Sequence, residues 1–400
     1  MARRVFVLGA GFSKAANFPL QAEILSLVTD SVSIGGADIL AEPDPPTKTF
    51  LEQREQLIAF LARTFRSDEQ RLEDVFTLLD QAIAEHSTVA GYGIVELMDI
   101  RDIWVRAILF CLHKCSEQHL AQPASIYVRF ASWLIRQRLK AGLDGDPFSV
   151  ICLNWDSLLE DSLFHVIREA NALGRFDVDY CVYTTPLDPN PAVCPHVPSP
   201  KQRASGIYNI KILKLHGSAT WLRCPNSGLI YTGLGMTTPA STLYVMERSS
   251  PFMTAYPNIP APAAEVPLEP HIIAPTYSKV FDLPHIKTTW HNAFIELREA
   301  NEVIFIGYSL PDADYHFRAL LLRAIRGTTR IRVFLGPRSD PSLYSSAAER
   351  ENLPYVRYRR LFGDAVDFNY GGFESLVNEL SRADLSMYYR WIAAHLPNAA

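Results

Sequence analysis

The stretch that decides the fold is Val5-Phe6-Val7-Leu8-Gly9-Ala10-Gly11-Phe12-Ser13-Lys14. Its leading apolar residues read as a fully buried strand. The glycines that follow let the backbone turn at once into a helix whose first N–H groups can face a phosphate. This is the pattern of a nucleotide-binding opening. It departs from the dinucleotide dehydrogenase fingerprint, because Lys14 stands where G-x-G-x-x-G requires its third small residue, although Asp30 lies at about the spacing of a ribose-binding acid. A tight β-α turn without a ligand has the same sequence, so the other strands must decide.

Four more apolar runs end in small or polar turns. Phe148 to Leu153 leads into Asn154-Trp155-Asp156 and a helix, and the run 210–215 ends in His216-Gly217-Ser218. Asn301 to Ile306 ends in Gly307-Tyr308-Ser309-Leu310, with Pro311-Asp312-Ala313-Asp314 opening a helix, and Arg330 to Leu335 ends in Gly336-Pro337. Polar side chains at the carboxyl ends of parallel strands occupy the place where open α/β sheets bind ligands. The spacing therefore predicts one nucleotide rim.

Between the first and second of these strands the pattern is helical. A helix over 19–30 places Leu20, Ile24, Leu25 and Val28 on one side, and the Pro-rich break at 42–46 ends that unit. From residue 50 to 140 apolar residues recur at helical intervals, as in Leu72, Val75, Phe76, Leu79 and Ile83 after a capping-box spacing of Ser67 and Gln70. Segments 186–205 and 232–270 are rich in proline and polar residues and read as loop, the second as a lid. Helices are expected at 373–380 and 386–394.

The 400 residues, 48% of them hydrophobic with a mean hydropathy of +0.01, suffice for a large core. A net charge of -5 without a long run of one sign argues against direct nucleic-acid binding. The apolar start breaks at Gly9, unlike a secretion signal, and no membrane span is evident, so a cytoplasmic location is expected. Six cysteines form no C-x-x-C pair. Cys181, Cys194 and Cys224 are too widely spaced for a zinc site, and Cys111, Cys115 and His119 share a helix face that Trp104, Ile108 and Leu112 mark as packed. No metal is expected.

Taken in order, Gly9-Ala-Gly-Phe-Ser13, Asn154-Trp-Asp156, Lys214-Leu-His-Gly-Ser218 and Gly307-Tyr-Ser-Leu-Pro-Asp312 resemble the sirtuin superfamily, and within it the bacterial sirtuin-like, NAD-hydrolysing branch of antiphage defence. The resemblance implies an α/β fold with a Rossmann-like, mostly parallel sheet flanked by helices. It implies a single catalytic domain over 1–400, with a helical insertion at 47–145 and a loop-rich insertion at 185–270. It also implies an NAD+ pocket: Gly9, Ala10, Gly11, Phe12 and Ser13 at the pyrophosphate, Asp156 near the nicotinamide ribose, Gly307 and Ser309 on the adenosine side, and Leu335 and Gly336 near the adenine. Asn154 and His216 match the catalytic pair.

The chain also departs from protein-deacylating sirtuins, lacking their two C-x-x-C pairs and their Phe-Gly-Glu segment after the histidine. What the resemblance then implies is cleavage of NAD+ to nicotinamide and ADP-ribose, as the effector of an abortive-infection system. Such an enzyme would be a homo-oligomer restrained by a separate subunit, an ATPase of the HerA-type translocase kind or a nuclease. A non-catalytic module binding NAD or ADP-ribose, and a residual deacylase, stand as alternatives. Asn154 as a helix cap, His216 as a satisfied polar residue and Tyr308 as core are the corresponding bland readings.

Overall fold

The computed structural model describes residues 3–31, 33–34, 37–40, 45–66, 70–121, 125–172, 174–186, 206–232, 268–277 and 283–381. The expected loops at 187–205 and 233–267, the helix at 386–394, Ser67 of the capping box and Cys194 lie outside the described residues.

Strand β1 (Arg4–Leu8) turns into the one-turn helix α1 (Ala10–Ser13), followed by α2 (Gln21–Thr29) and the short hairpin β2 (Ser33–Ile34) and β3 (Ala37–Asp38). Four helices come next: α3 (Pro45–Thr64), α4 (Leu72–Ala84), α5 (Ile94–Ala121) and α6 (Ser125–Lys140). The chain re-enters the sheet through β4 (Phe148–Cys152), α7 (Leu158–Glu169), β5 (Phe176–Asp179) and β7 (Tyr208–Lys214), with β6 (Thr185–Pro186), a strand of a second sheet, between the last two. Three strands then leave it, β8 (Gly217–Arg223), β9 (Ile230–Thr232) and β10 (Glu269–Ile272). The rest alternates: α8 (Pro284–Glu299), β11 (Glu302–Ile306), α9 (Tyr315–Ala324), β12 (Arg330–Phe334), α10 (Ala347–Glu351), α11 (Pro354–Phe362), β13 (Val366–Asn369) and α12 (Gly372–Ser381).

The main sheet has seven strands in the order β13-β12-β11-β1-β4-β7-β5. Every pairing in it is parallel. From β1 the chain first builds outward through β4, then returns to the other side of β1 through β11. That reversal makes β1 the topological switch point, where a crevice opens at the carboxyl ends of the strands. A second sheet, β10-β8-β9-β6, continues from β7 and flanks that end. This is a doubly wound α/β fold of Rossmann type.

Buried strands in such a sheet must be apolar on both faces, and β1 is: its residues from Val5 to Leu8 are fully buried. Phe6 and Leu8 face one layer, where Phe6 meets the rings of Phe130, Trp133 and Phe148 at 5.5, 5.7 and 6.3 Å. The helices of the 47–145 stretch share this one continuous core with the sheet. Val5 and Val7 face the other layer, packing with Ala293 and Leu297 of α8, Phe317 and Leu321 of α9 and Tyr358 of α11. Within 185–270 the described residues are mainly strand. Helix α4 begins at Leu72, and the Asp74 carboxylate accepts from the Arg71 N–H (2.9 Å) to close its first turn.

Candidate functional site

Five strands end at one level. Gly9 N–H donates to Ile306 O (3.0 Å), Leu153 N–H to Leu8 O (3.0 Å), Leu215 N–H to Cys152 O (3.1 Å), Gly307 N–H to Phe334 O (2.9 Å) and Leu335 N–H to Asn369 O (2.9 Å). Pairing therefore runs one residue past each strand. It delivers Gly9, Asn154, His216, Gly307 and Gly336 side by side along the switch-point crevice. The glycine turns pack on each other: Gly11 N–H donates to Gly307 O (2.8 Å), and a Cβ built on Gly9 would stand 2.6 Å from Tyr308 Cα.

Asn154 ties the second strand to the first turn. Its Nδ2 donates to Gly9 O (3.0 Å) and to Ser13 Oγ (3.1 Å), so both amide protons are engaged and the amide oxygen is its remaining acceptor. Ser13 Oγ in turn donates to Asp156 Oδ2 (2.8 Å), whose other oxygen accepts from the Leu158 N–H (3.1 Å) at the start of α7. Beneath them Lys214, wholly buried, donates to Asp156 O and lies 3.4 Å from Glu160 Oε1. Burial works to lower the Lys214 pKa, but Cys152, Glu160 and Asp156 hold it above its ordinary value. Burial likewise lifts the Glu160 carboxyl against the pull of Lys214.

His216, 7% exposed, places Nδ1 3.1 Å from Leu153 O. A carbonyl can only accept, so Nδ1 carries a proton and Nε2 is the nitrogen that can act as a base. Nε2 stands 3.8 Å from Asp314 Oδ1, and Asp314 Oδ2 accepts from the Tyr308 hydroxyl (2.9 Å). Burial, then the neighbouring Asp314, pushes the Tyr308 phenol far above its ordinary pKa, so it stays a donor. Trp290 packs 6.3 Å from the His216 ring and donates to Leu215 O (3.1 Å).

A cleft of about 730 Å³ opens over these residues. Its lining includes ten of the residues singled out from the sequence: Gly9, Ala10, Gly11, Asn154, Asp156, His216, Gly307, Ser309, Leu335 and Gly336. Phe12 and Ser13 lie beneath it. Phe12 sits in an aromatic cluster with Tyr127, Phe130 and Phe373, and Ser13 is fully buried in the hydrogen bonds just described. The Gly9, Gly11 and Phe12 N–H groups already donate to chain carbonyls. Asp30 is exposed at the end of α2 and is not among the lining residues.

Sequence reasoning missed Asp314, Glu73, Lys14, Trp155 and Arg338, all of which line the cleft. Of the two acids after Gly307, Asp312 is exposed and paired with Arg318 whereas Asp314 is buried; their spacing alone does not separate them. Burial lifts the Glu73 carboxyl above its usual range. Cys111 and Cys115 are packed, the latter pushed up to about 12 by burial. Among the described residues no group of three or more His, Cys, Asp or Glu side chains is placed to hold a metal ion, and no helix is long and apolar enough to cross a membrane.

No family model matches this chain, and no curated protein matches it. Solved structures similar to it include a Sir2 homologue in complex with NAD (14% identity, TM-score 0.41, 98% of this chain and 91% of that chain covered). A structure on the basis of sirtuin substrate affinity (13%, 0.40, 94% and 92%) and a Sir2 complex with a peptide and NAD+ (12%, 0.36, 94% and 91%) are further examples. The fold class itself rests on the sheet order and its switch point.

Proposed function

We propose that the cleft is an NAD+ site and that the chain is an NAD+ glycohydrolase. The observation that carries this reading is the level row of Gly9, Asn154, His216 and Gly307 at the switch point, with a base-competent Nε2 facing the same cleft. Nicotinamide departs as a neutral molecule, so no acid is required. What the site must supply is positioning of the ribose, tolerance of oxocarbenium-like charge and a base for the attacking water. In this reading water adds to the ribose C1′ as the bond to nicotinamide breaks, and His216 Nε2 takes the water's proton. Asn154, through its amide oxygen, and Asp156 orient the ribose and the water; the cleft's carboxylates, Asp314 among them, favour the growing positive charge.

The wider role we propose is that of an antiphage abortive-infection effector in the cytoplasm, a single catalytic domain working as a homo-oligomer. It would be restrained by a separate ATPase or nuclease subunit. The test is chromatography of NAD+ incubated with wild type, Asn154→Ala and His216→Ala, alone and with neighbouring gene products. Release of nicotinamide and ADP-ribose by wild type only is the expected result.

One observation favours a second reading. Both Asn154 amide protons are engaged within the chain, as a structural asparagine's would be. Tight NAD+ binding without product under any of these conditions selects a non-catalytic NAD or ADP-ribose module.

A further inference from the structure

A dinucleotide carries its negative charge into the cleft, and the cleft must balance it. Among the described residues, the basic side chains lining it apart from His216 are Lys14 and Arg338, against the acids Glu23, Glu73, Asp156 and Asp314. The glycine turn offers less than its sequence promises, since the Gly9, Gly11 and Phe12 donors are engaged by Ile306 O, Gly307 O and Gly9 O. Side chains therefore have to supply what backbone N–H groups supply in an open phosphate turn.

The two cations come from separate elements, Lys14 directly after α1 and Arg338 in the short turn Pro337–Ser339 after β12. Both share the cleft lining with one carboxylate, Glu23. Lys14 Nζ lies 2.8 and 2.5 Å from the two oxygens of Glu23, and the Arg338 charge, more weakly than Lys14, also favours the ionised form of that group. Glu23 additionally accepts the Leu20 N–H (2.8 Å), which caps α2. Lys14 and Glu23 also line a neighbouring cavity of about 200 Å³ with Asn17, Ser26 and Cys115. The ion pair thus stands between two spaces, with room for Glu23 or Lys14 to move.

We propose that Lys14 and Arg338 form a side-chain subsite for a phosphate group of the bound nucleotide, and that Glu23 occupies it as a resident anion which the ligand displaces. The inference rests on reading the cleft as a nucleotide site. The shared chemistry is a phosphate ester, and it has two sources: the pyrophosphate common to all these dinucleotides, or the 2′-phosphate of NADP+.

Calorimetric titration of the full chain with NAD+, NADP+ and ADP-ribose separates the outcomes, using wild type, Lys14→Ala, Arg338→Ala and Glu23→Gln. Loss of either cation should weaken binding by about tenfold, the worth of one charge-assisted hydrogen bond. Glu23→Gln keeps an acceptor for the Leu20 N–H but removes the competing charge, so it should bind a few-fold more tightly. A merely structural ion pair predicts no such gain. Equal losses for all three nucleotides assign the subsite to the pyrophosphate, and a loss confined to NADP+ assigns it to the 2′-phosphate. Unchanged binding in both cation variants, or weaker binding by a folded Glu23→Gln protein, overturns the inference alone. Wild type that binds none of the three overturns the nucleotide reading and this subsite with it.

Discussion

Gly11 and Gly307 touch backbone to backbone: the Gly11 N–H donates to Gly307 O at 2.8 Å, and Gly307 holds φ +60. A Cβ on Gly307 would lie 2.2 Å from both Gly11 C and Phe12 N, where nothing flexible can yield. Gly307→Ala combines left-handed backbone strain with a clash against main chain, and should cost about 2–5 kcal/mol of stability in denaturant unfolding. Gly336→Ala, where the added Cβ would meet no non-neighbouring atom within 4 Å, should be neutral or slightly stabilising.

Asn154→Ala takes one buried donor from Ser13 Oγ and one from Gly9 O, which keeps the Phe12 N–H. Its expected cost is about 1–3 kcal/mol in thermal or chemical unfolding, together with loss of the proposed NAD+ cleavage. Ser13→Ala breaks the same network from its centre and should lower stability comparably while retaining some activity. If the two variants lose equal activity, Asn154 acts only by holding the glycine turn.

The sheet and its rim were legible because buried apolar runs in β1, β4, β7, β11 and β12 each stop at Gly, Asn or His, and parallel pairing then sets those stops level. What the glycines are for was not. A sequence cannot tell a turn opened for phosphate from one packed against a second turn, as Gly11 is against Gly307. Phe12 and Ser13 belong to the motif, yet their side chains are core. The strand β8 is buried at six successive residues from Gly217 to Leu222, so it shows no alternation to read. Asp314, far along the chain from the first glycine turn, reaches the site only through tertiary packing.

Lys214 and Glu160 form a buried pair under the cleft floor. Lys214→Met strands the Glu160 carboxyl and should cost about 3–5 kcal/mol, whereas the double variant with Glu160→Leu should recover much of that. Denaturant midpoints of the four proteins give the coupling directly.

His271 and His285 meet Nε2 to Nε2 at 2.8 Å, with His271 stacked on Trp221 and Arg223 nearby. Burial, then the adjacent imidazole and Arg223, lowers His271 to about 3; burial and Arg223 lower His285 to about 4. Both lie below the unfolded value of about 6.5, so between these limits the unfolded chain binds more protons than the native one. Stability is therefore full above about pH 6.5 and declines as pH falls toward about 4 for His285 and about 3 for His271. His271→Phe, which keeps the stacking, should flatten that slope in unfolding curves taken across the range.

Asp314 accepts the Tyr308 hydroxyl with one oxygen and presents the other 3.8 Å from His216 Nε2. If His216 takes a proton during NAD+ cleavage, an imidazolium forms beside this carboxylate and is stabilised by it, as a buried acid stabilises a catalytic histidine elsewhere. Asp314→Asn keeps an acceptor for Tyr308 and removes only the charge. The expected result is a kcat lower by about 10–100-fold with KM nearly unchanged and little loss of stability. Asp314→Ala should lose stability as well, because the buried Tyr308 hydroxyl is then left unpaired. Equal kcat in Asp314→Asn and wild type would mean that the carboxylate serves Tyr308 alone and that His216 works, if at all, without it.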